Sequence, residues 1–181
     1  MKIDLFNKIL KKSKTSKKIL ILENNTTYKD FFKNTFEIFD FLKLRVKKKE
    51  VICVCSGYSL DFISLIFASY LNDNTITFVN PNASESEKKH VIKDSKASLI
   101  IFEKNYLNLK KKINNFKRFK FIQLKRGFKC NARFIIYTSG TTNKAKGVLI
   151  SNLAISSNII SIMKNLKLKK NDKGIIFSPP A

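Results

Sequence analysis

The periods of apolar and polar positions change several times along the chain, and each change predicts a new element. Met1 to Leu10 has the pattern of a short amphipathic helix, and a basic connector, Lys11 to Lys18, leads to a predicted strand at Ile19 to Leu22. Thr27, with Asp30 three residues later, predicts a capped helix start. One face of that helix should meet the core, since its apolar residues recur at helical spacing: Tyr28, Phe32, Phe36, Phe39, Leu42 and Val46.

From Glu50 onward the pattern alternates between short apolar strands and helices. The predicted strands are Val51–Cys55, Thr75–Val79 and Ala97–Phe102, and the helices between them are Ser59–Leu71 and Ser84–Asp94. Parallel strands need a crossover connection of helix length, and their sheets are covered on both faces. We therefore predict an α/β fold with a mostly parallel sheet covered by helices. Phe119 to Leu124 predicts one further strand.

Composition excludes several functions. The 181 residues are 44% hydrophobic, which suffices for one sizeable core. No stretch reaches the about 18 apolar residues of a membrane-spanning helix, and the N-terminus does not resemble a secretion signal, so we predict a cytoplasmic protein without a membrane span. Cys53 and Cys55 alternate within a strand, Cys130 stands alone, and His90 is the single histidine. We therefore predict buried thiols and no metal site.

The formal net charge of +23 raises the question of a nucleic-acid or anionic-membrane partner. The lysines are scattered through the chain, and a dense cluster at residues 110–120 surrounds a predicted exposed connection. Charge runs of this kind usually mark solvated surface. The aromatic residues fall on helix stripes and apolar strands, where they would be buried and unable to stack on bases. A basic nucleic-acid-binding domain is therefore the less favoured alternative.

The segment with most chemical content lies between two predicted strands. Phe134 to Tyr137 leads into residues 138–147, Thr-Ser-Gly-Thr-Thr-Asn-Lys-Ala-Lys-Gly, and Val148 to Ser151 resumes a strand pattern. Glycine lets the backbone approach a ligand, hydroxyls and amides donate to phosphate oxygens, and lysine adds positive charge. About four or five such donors, each contributing ~1.5–3 kcal/mol, could hold a triphosphate. The same residue types also occur in ordinary turns.

A Walker-type phosphate loop does not fit this segment. That loop has four residues between its glycines and then Lys followed by Ser or Thr. Here six residues separate Gly140 from Gly147, and Val148 follows. The segment also leads into a strand, so no helix dipole faces a bound phosphate. The sequence therefore disfavours a P-loop ATPase.

Tyr137 through Gly147, YTSGTTNKAKG, resembles the phosphate-loop signature of the adenylate-forming superfamily. This superfamily includes acyl-CoA synthetases, aryl-CoA ligases, luciferases and the adenylation domains of peptide synthetases. Its usual pattern is Tyr-Thr-Ser-Gly-Thr-Thr-Gly, any residue, Pro-Lys-Gly, and nine of the eleven positions agree. Asn143 replaces glycine but tolerates a left-handed backbone. Ala145 replaces proline, which leaves the unfolded loop freer by ~0.4–1 kcal/mol.

The resemblance extends to Val51–Phe102 and to Gly174–Pro180, so the chain is similar to the first third of such an enzyme. It implies an incomplete N-terminal AMP-binding domain over residues 1–181, with the C-terminal domain absent. Later family segments that bind adenine, ribose and magnesium would be missing, so we expect no turnover by this chain alone. Both a fragment of a longer reading frame and a broken gene fit the sequence.

The resemblance also implies the reaction and its ligands. ATP would activate a carboxylic acid as an acyl-adenylate, and a thiol, commonly that of coenzyme A, would then form a thioester; Mg²⁺ would accompany ATP, and fatty-acid metabolism is one expected setting. By position, the implied phosphate contacts are Thr138, Ser139, Gly140, Thr141, Thr142 and Lys146. Lys146 is also the implied catalytic residue, and no metal ligand is assigned. A non-catalytic module that binds a nucleotide or another anion is the alternative.

Asn152 stands where many members of the superfamily have histidine. The residues around it support a second interpretation, in which Asn152 caps a helix. That helix would carry an apolar face made of Ile155, Ile159, Ile162 and Leu166. Neither the acid substrate nor the identity of the accepting thiol, on coenzyme A or on a carrier protein, follows from the sequence.

Overall fold

The computed structural model describes residues 16, 19–21, 25–103, 114–116, 119–124, 129–138, 145–169, 172 and 174. The strands within these residues are β1 (Ile19–Ile21), β2 (Thr26–Thr27), β3 (Val51–Cys55), β4 (Thr75–Val79), β5 (Leu99–Glu103), β6 (Asn114–Phe116), β7 (Phe119–Gln123), β8 (Phe134–Thr138) and β9 (Lys146–Ile150). The helices are α1 (Tyr28–Arg45), α2 (Leu60–Leu71), α3 (Glu85–Asp94) and α4 (Asn152–Asn165). The helix predicted for residues 1–10, most of the connector and residues 175–180 lie outside the described residues.

Seven of the described strands form one sheet, in the order β6-β7-β5-β3-β4-β8-β9. Its centre is parallel, since β3 pairs in parallel with β4 and β5, and β4 pairs in parallel with β8. Its margins are antiparallel, because β7 runs antiparallel to both β5 and β6, and β9 runs antiparallel to β8. The predicted α/β class and the parallel centre are confirmed, and the antiparallel margins are an addition that the sequence did not reveal.

Helices cover both faces of the sheet, as the apolar strands predict. The two faces of β3 show this most clearly, because all five of its residues are buried. Ile52 and Val54 pack with residues of α1 and α2, whereas Cys53 and its alternate neighbours pack on the opposite face with Val91 of α3. Cys53 and Cys55 are free and buried, which confirms their interpretation as core residues, and Cys130 is free and buried as well. Burial raises the pKa of the Cys53 thiol and keeps it neutral.

Capping boxes begin both α1, as Thr27 and Asp30 predict, and α3. In α1 the Thr27 hydroxyl accepts a hydrogen bond from the Asp30 amide, and the Asp30 carboxylate accepts one from the Thr27 amide, each at 3.2 Å. Ser84 and Glu87 make the same pair of bonds at the start of α3, at 3.2 and 2.8 Å. These bonds satisfy amides that the first helical turn leaves without partners. Because these bonds connect residues only three positions apart, both helix starts could be predicted from the local sequence.

The buried face of α1 is rotated from the predicted stripe. Phe32 and Leu42 are buried as predicted, but Phe36 is 40% exposed. Phe31, outside the stripe, is buried instead, and its ring meets the Phe67 ring of α2 edge-on with centroids 5.1 Å apart. Because α1 packs against α2 as well as the sheet, its core-facing side is set by two neighbours, which sequence periodicity does not resolve.

Helix α4 begins differently from the cap interpretation. Ser151 is the capping residue, since its hydroxyl accepts from the Ala154 amide at 3.2 Å. Asn152 is the first helical residue, and its side-chain oxygen accepts from the Tyr70 hydroxyl at 3.1 Å. The assignment of Asn152 as the cap is therefore wrong by one residue. The predicted apolar face is also largely uncovered: Ile162 is 47% and Leu166 is 66% exposed.

No helix in the described ranges is long and apolar enough to cross a membrane.

Strand β8 is attached to β4 by side chains as well as by backbone pairing. The two strands pair at only two positions, Ile76 with Phe134 and Thr77 with Ile135. The fully buried hydroxyl of Thr77 donates to the Ile135 carbonyl at 2.8 Å, and that of Thr75 donates to the Ala132 carbonyl at 2.6 Å. These bonds extend a short ladder, so β8 keeps a fixed position beside β4.

The start of β8 has a further anchor. The Arg133 guanidinium donates to the Asp73 carboxylate at 2.6 Å and lies over the Tyr70 ring, 4.6 Å from its centroid. Asp73 and Tyr70 belong to the end of α2 and the turn after it. A partly buried ion pair that also stacks on an aromatic ring holds its geometry better than an exposed pair. Arg133 therefore joins β8 to α2.

The pairing of β8 with β9 depends on Gly147. Tyr137 and Gly147 are directly opposite each other in this antiparallel pair. A Cβ atom at Gly147 would lie 2.9 Å from the Ile135 Cγ2 atom and 3.1 Å from the Cζ atom of the Tyr137 ring. The missing side chain lets the tyrosine ring cover the backbone of β9.

We predict that Thr77→Val lowers the free energy of unfolding by about 1–2 kcal/mol, because the buried Ile135 carbonyl loses its side-chain donor. Urea unfolding measures this loss. Thr35→Val is the matched control. Thr35 is equally buried, but its hydroxyl bonds the Phe31 carbonyl within one turn of α1. The Phe31 carbonyl can also accept a backbone hydrogen bond within the helix, so Thr35→Val should lower the free energy of unfolding by less. Equal losses would contradict the stated role of Thr77.

We predict that Gly147→Ala lowers the free energy of unfolding by about 1–3 kcal/mol, because the added methyl group clashes with Ile135 and the Tyr137 ring. Gly174→Ala is the control, since a Cβ atom there meets nothing within 4 Å. Thermal and urea unfolding of both variants provide the comparison. A Gly147→Ala variant as stable as the control would show that the hairpin tolerates the methyl group.

Candidate functional site

The hairpin formed by β8 and β9 carries the two ends of the predicted phosphate loop. Thr138 is the last residue of β8 and Lys146 the first of β9, and the two are paired across the strands. Directly paired residues project to the same face of an antiparallel sheet, so the structure brings these two predicted contacts together. Both side chains are exposed. The other predicted contacts, Ser139, Gly140, Thr141 and Thr142, lie outside the described residues.

Thr138 lies at the carboxyl edge of the parallel centre of the sheet. The carboxyl end of β8 is next to that of β4, which continues into Asn80, and β3 on the far side of β4 continues into Ser56 and Gly57. Ligands of open α/β sheets bind outside the carboxyl ends of the parallel strands. The predicted loop is therefore at the edge of the sheet where this class of fold binds its ligands.

The chain after the loop is a strand, as the sequence predicted. Lys146 to Ile150 form β9, and α4 starts at the opposite end of the hairpin from the loop. No helix begins directly after the loop, so donors to an anion must come from the loop itself. Lys146 makes no ion pair with any residue in the described part of the chain, which leaves its ammonium group available to a ligand.

Helix α3 supports both strands of the hairpin. The Tyr137 hydroxyl of β8 donates to an Asp94 carboxylate oxygen at 2.7 Å. Immediately before the other strand, His90 Nε2 lies 2.8 Å from the carbonyl oxygen of Ala145, the residue before Lys146. The His90 and Tyr137 rings are in edge contact, with centroids 6.2 Å apart. His90 and Asp94 are four residues apart, so one face of α3 makes both attachments.

Electrostatics keep the tyrosine in its donor form. Partial burial, together with the hydrogen bond to the Asp94 carboxylate, raises the pKa of the Tyr137 phenol well above its ordinary value. The phenol is therefore neutral at physiological pH and donates a hydrogen bond to the Asp94 carboxylate. Lys146 supplies exposed positive charge on the neighbouring strand. The hairpin end thus combines a supported backbone with an exposed cation, which suits an anionic ligand.

The supporting residues were not predicted. Forty-three positions separate Asp94 from Tyr137, and fifty-five separate His90 from Ala145. The four-residue spacing of His90 and Asp94 on a predicted helix indicates a shared face, but nothing local indicates that this face meets β8 and β9. In the described ranges, no group of three or more His, Cys, Asp or Glu residues could hold a metal ion.

A family model identifies the family to which the chain belongs, and solved structures share its fold. The chain matches the family model for AMP-binding enzymes over residues 10–181. Comparison with curated protein sequences gives no match. The structure is similar to o-succinylbenzoate-CoA synthetase from Bacillus subtilis in complex with its acyl-adenylate intermediate, with a TM-score of 0.68, 18% identity, and coverage of 85% of this chain and 43% of that one.

Two further solved structures show the same fold. One is the Bacillus subtilis synthetase in complex with ATP and magnesium ion, with a TM-score of 0.63, 16% identity, and coverage of 81% of this chain and 42% of that one. The other is a long-chain-fatty-acid-CoA ligase from Archaeoglobus fulgidus, with a TM-score of 0.63, 19% identity, and coverage of 80% and 34%.

The chain spans less than half the length of these structures. At such identities the structural likeness shows the fold alone. The family model, in contrast, matches nearly the whole sequence, including the loop and the strands on either side of it. The resemblance deduced from YTSGTTNKAKG is thereby confirmed: the chain belongs to the family of AMP-binding enzymes.

Proposed function

We propose that the loop over residues 138–147 binds the triphosphate tail of ATP and contributes to the formation of an acyl-adenylate from a carboxylic acid. The observation that carries this proposal is the family match across the loop, combined with the pairing of Thr138 and Lys146 at the carboxyl edge of the sheet. Because the chain spans less than half of its structural neighbours, we assign it triphosphate binding. The complete reaction belongs to an enzyme of full family length.

The chemistry follows from where negative charge moves. A carboxylate attacks the α-phosphorus of ATP, a new oxygen–phosphorus bond forms, and pyrophosphate leaves with the electron pair of the broken bond. Holding the β- and γ-phosphates fixes the α-phosphorus in line with the attacking oxygen. The ammonium of Lys146 offsets the charge that develops on pyrophosphate, and Thr138 supplies a hydroxyl donor on the same face. Ser139, Gly140, Thr141 and Thr142 complete the proposed set of donors.

We propose different roles for magnesium and coenzyme A. Mg²⁺ usually binds nucleotide phosphates together with one or two carboxylates. We propose that Mg²⁺ arrives bound to ATP, and we assign it no ligand among the described residues, which contain no group of three or more His, Cys, Asp or Glu residues that could hold a metal ion. Coenzyme A is the proposed acceptor of the acyl group, on the basis of the family resemblance. We assign no residue of this chain to the binding of coenzyme A or of the acid.

Burial argues for ATP and against nucleic acid as the anionic partner. Of the aromatic side chains whose burial the structure describes, only Phe36 and Tyr58 are exposed. Proteins that bind single strands offer aromatic faces on which bases stack. Two aromatic side chains on separate elements form no such platform. The described aromatic residues therefore do not support binding of a single-stranded polynucleotide.

We predict that Lys146→Ala weakens the affinity of the chain for ATP by about 10- to 100-fold, which is the expected cost of losing one charge-assisted hydrogen bond. The fold should persist, because the lysine side chain is exposed at the end of β9. Isothermal titration calorimetry with ATP and Mg²⁺ measures the affinity, and circular dichroism checks the fold.

Lys164→Ala is the charge-matched control for that substitution. Lys164 is exposed near the end of α4 and lies outside the predicted loop in sequence, and its removal lowers the net charge by the same amount. The control should keep nearly the affinity of the unmodified chain. If both variants lose affinity equally, ATP responds only to overall charge and the assignment of Lys146 fails.

A further inference from the structure

We propose that His90 is a positioning residue for the triphosphate site: from α3 it fixes the backbone at the second end of the phosphate loop and so orients Lys146 towards the ligand. The inference rests on the proposed function and adds a residue that lies fifty-five positions before the loop end that it supports. The contact of His90 with Ala145 carries it.

The direction of the hydrogen bond is set by chemistry. The Ala145 carbonyl oxygen can only accept, so His90 Nε2, 2.8 Å away, must carry the proton and donate. The bond therefore exists in the neutral imidazole that is protonated at Nε2 and in the imidazolium. The side chains of both residues are partly buried, which protects the bond from competing water.

Ala145 precedes the paired residues of β9, so its bond to His90 adds a restraint to the pairing of β8 with β9. Strand β9 begins at Lys146, so Ala145 lies just outside the ladder that joins β8 and β9. Within the ladder, backbone pairing already holds each residue. At Ala145, the hydrogen bond from His90 restrains the carbonyl group. The next residue is the proposed phosphate-binding lysine.

The second attachment of α3 prevents the hairpin from pivoting about the first. The Tyr137 hydroxyl donates to Asp94 at 2.7 Å, and the Tyr137 ring packs edge-on against His90. The two bonds join one helix face to both strands of the hairpin. A loop held in this way spends a larger fraction of time in the conformation that binds, and the apparent affinity rises with that fraction.

The test compares His90→Phe with His90→Gln. Phenylalanine keeps a ring against Tyr137 and removes the donor, whereas glutamine keeps an N–H group on a side chain of similar reach. In the ligand-free chain, we expect His90→Phe to speed amide hydrogen exchange in residues 138–147 and His90→Gln to leave it near the original rate. His90→Ala, which introduces no new bulk, should behave like His90→Phe and serves if the phenylalanine variant does not fold.

The same variants are titrated with ATP and Mg²⁺, and with inorganic tripolyphosphate, below the unfolding temperature of each. Loss of one positioning hydrogen bond should weaken both ligands by about two- to tenfold in His90→Phe, with recovery in His90→Gln. Unchanged exchange, unchanged affinity, or equal weakening in both variants overturns the role of His90. If the unmodified chain binds neither ligand, the proposed function itself fails, which the exchange measurement distinguishes from a failure of the positioning role.

Discussion

The attachment of β8 to β4 is the interaction on which the rest of the structure depends. Only two backbone positions pair these strands, and the buried hydroxyls of Thr75 and Thr77 extend that pairing by donating to carbonyls of the segment that enters and forms β8. Such bonds stabilise by about 1 kcal/mol each, but an acceptor left without a donor in the core costs more. The parallel sheet centre thus sets where β8 ends, and with it where the loop begins.

A phosphate-binding loop that leads into a strand must obtain its donors and positive charge from other sources than one that leads into a helix. At a helix start, aligned amides supply both donors and partial positive charge. Here β9 follows the loop, so the exposed ammonium of Lys146 is the proposed source of charge, and rigidity comes from a separate element, α3. The bonds from Tyr137 to Asp94 and from His90 to Ala145 supply that rigidity on both strands. Gly147 completes the arrangement, since any side chain there would displace the Tyr137 ring.

Local signals in the sequence predicted most elements, whereas contacts between distant residues were not predictable. The bonds of the Thr27 and Ser84 capping boxes span three residues, so both helix starts were correct. The antiparallel margins depend on which strands meet, and the buried position of Phe31 depends on contact with α2, so neither follows from periodicity. Ser151 and Asn152 are adjacent and are both of residue types that cap helices, and only the geometry shows that Ser151 is the cap. In the hairpin, the motif indicated Thr138 and Lys146 as candidate contacts, whereas nothing local indicated that His90 lies against Ala145.

Nuclear magnetic resonance of the 20.9 kDa chain during titration tests the central claim most directly. Amide shifts are followed with ATP, with inorganic tripolyphosphate and with AMP, which lacks the β- and γ-phosphates. The account predicts that ATP and tripolyphosphate perturb the same amides, concentrated in residues 138–147, and that AMP perturbs them much less. Shifts distributed over surface lysines throughout the chain, or equal responses to AMP and ATP, would contradict a triphosphate site at the end of the hairpin.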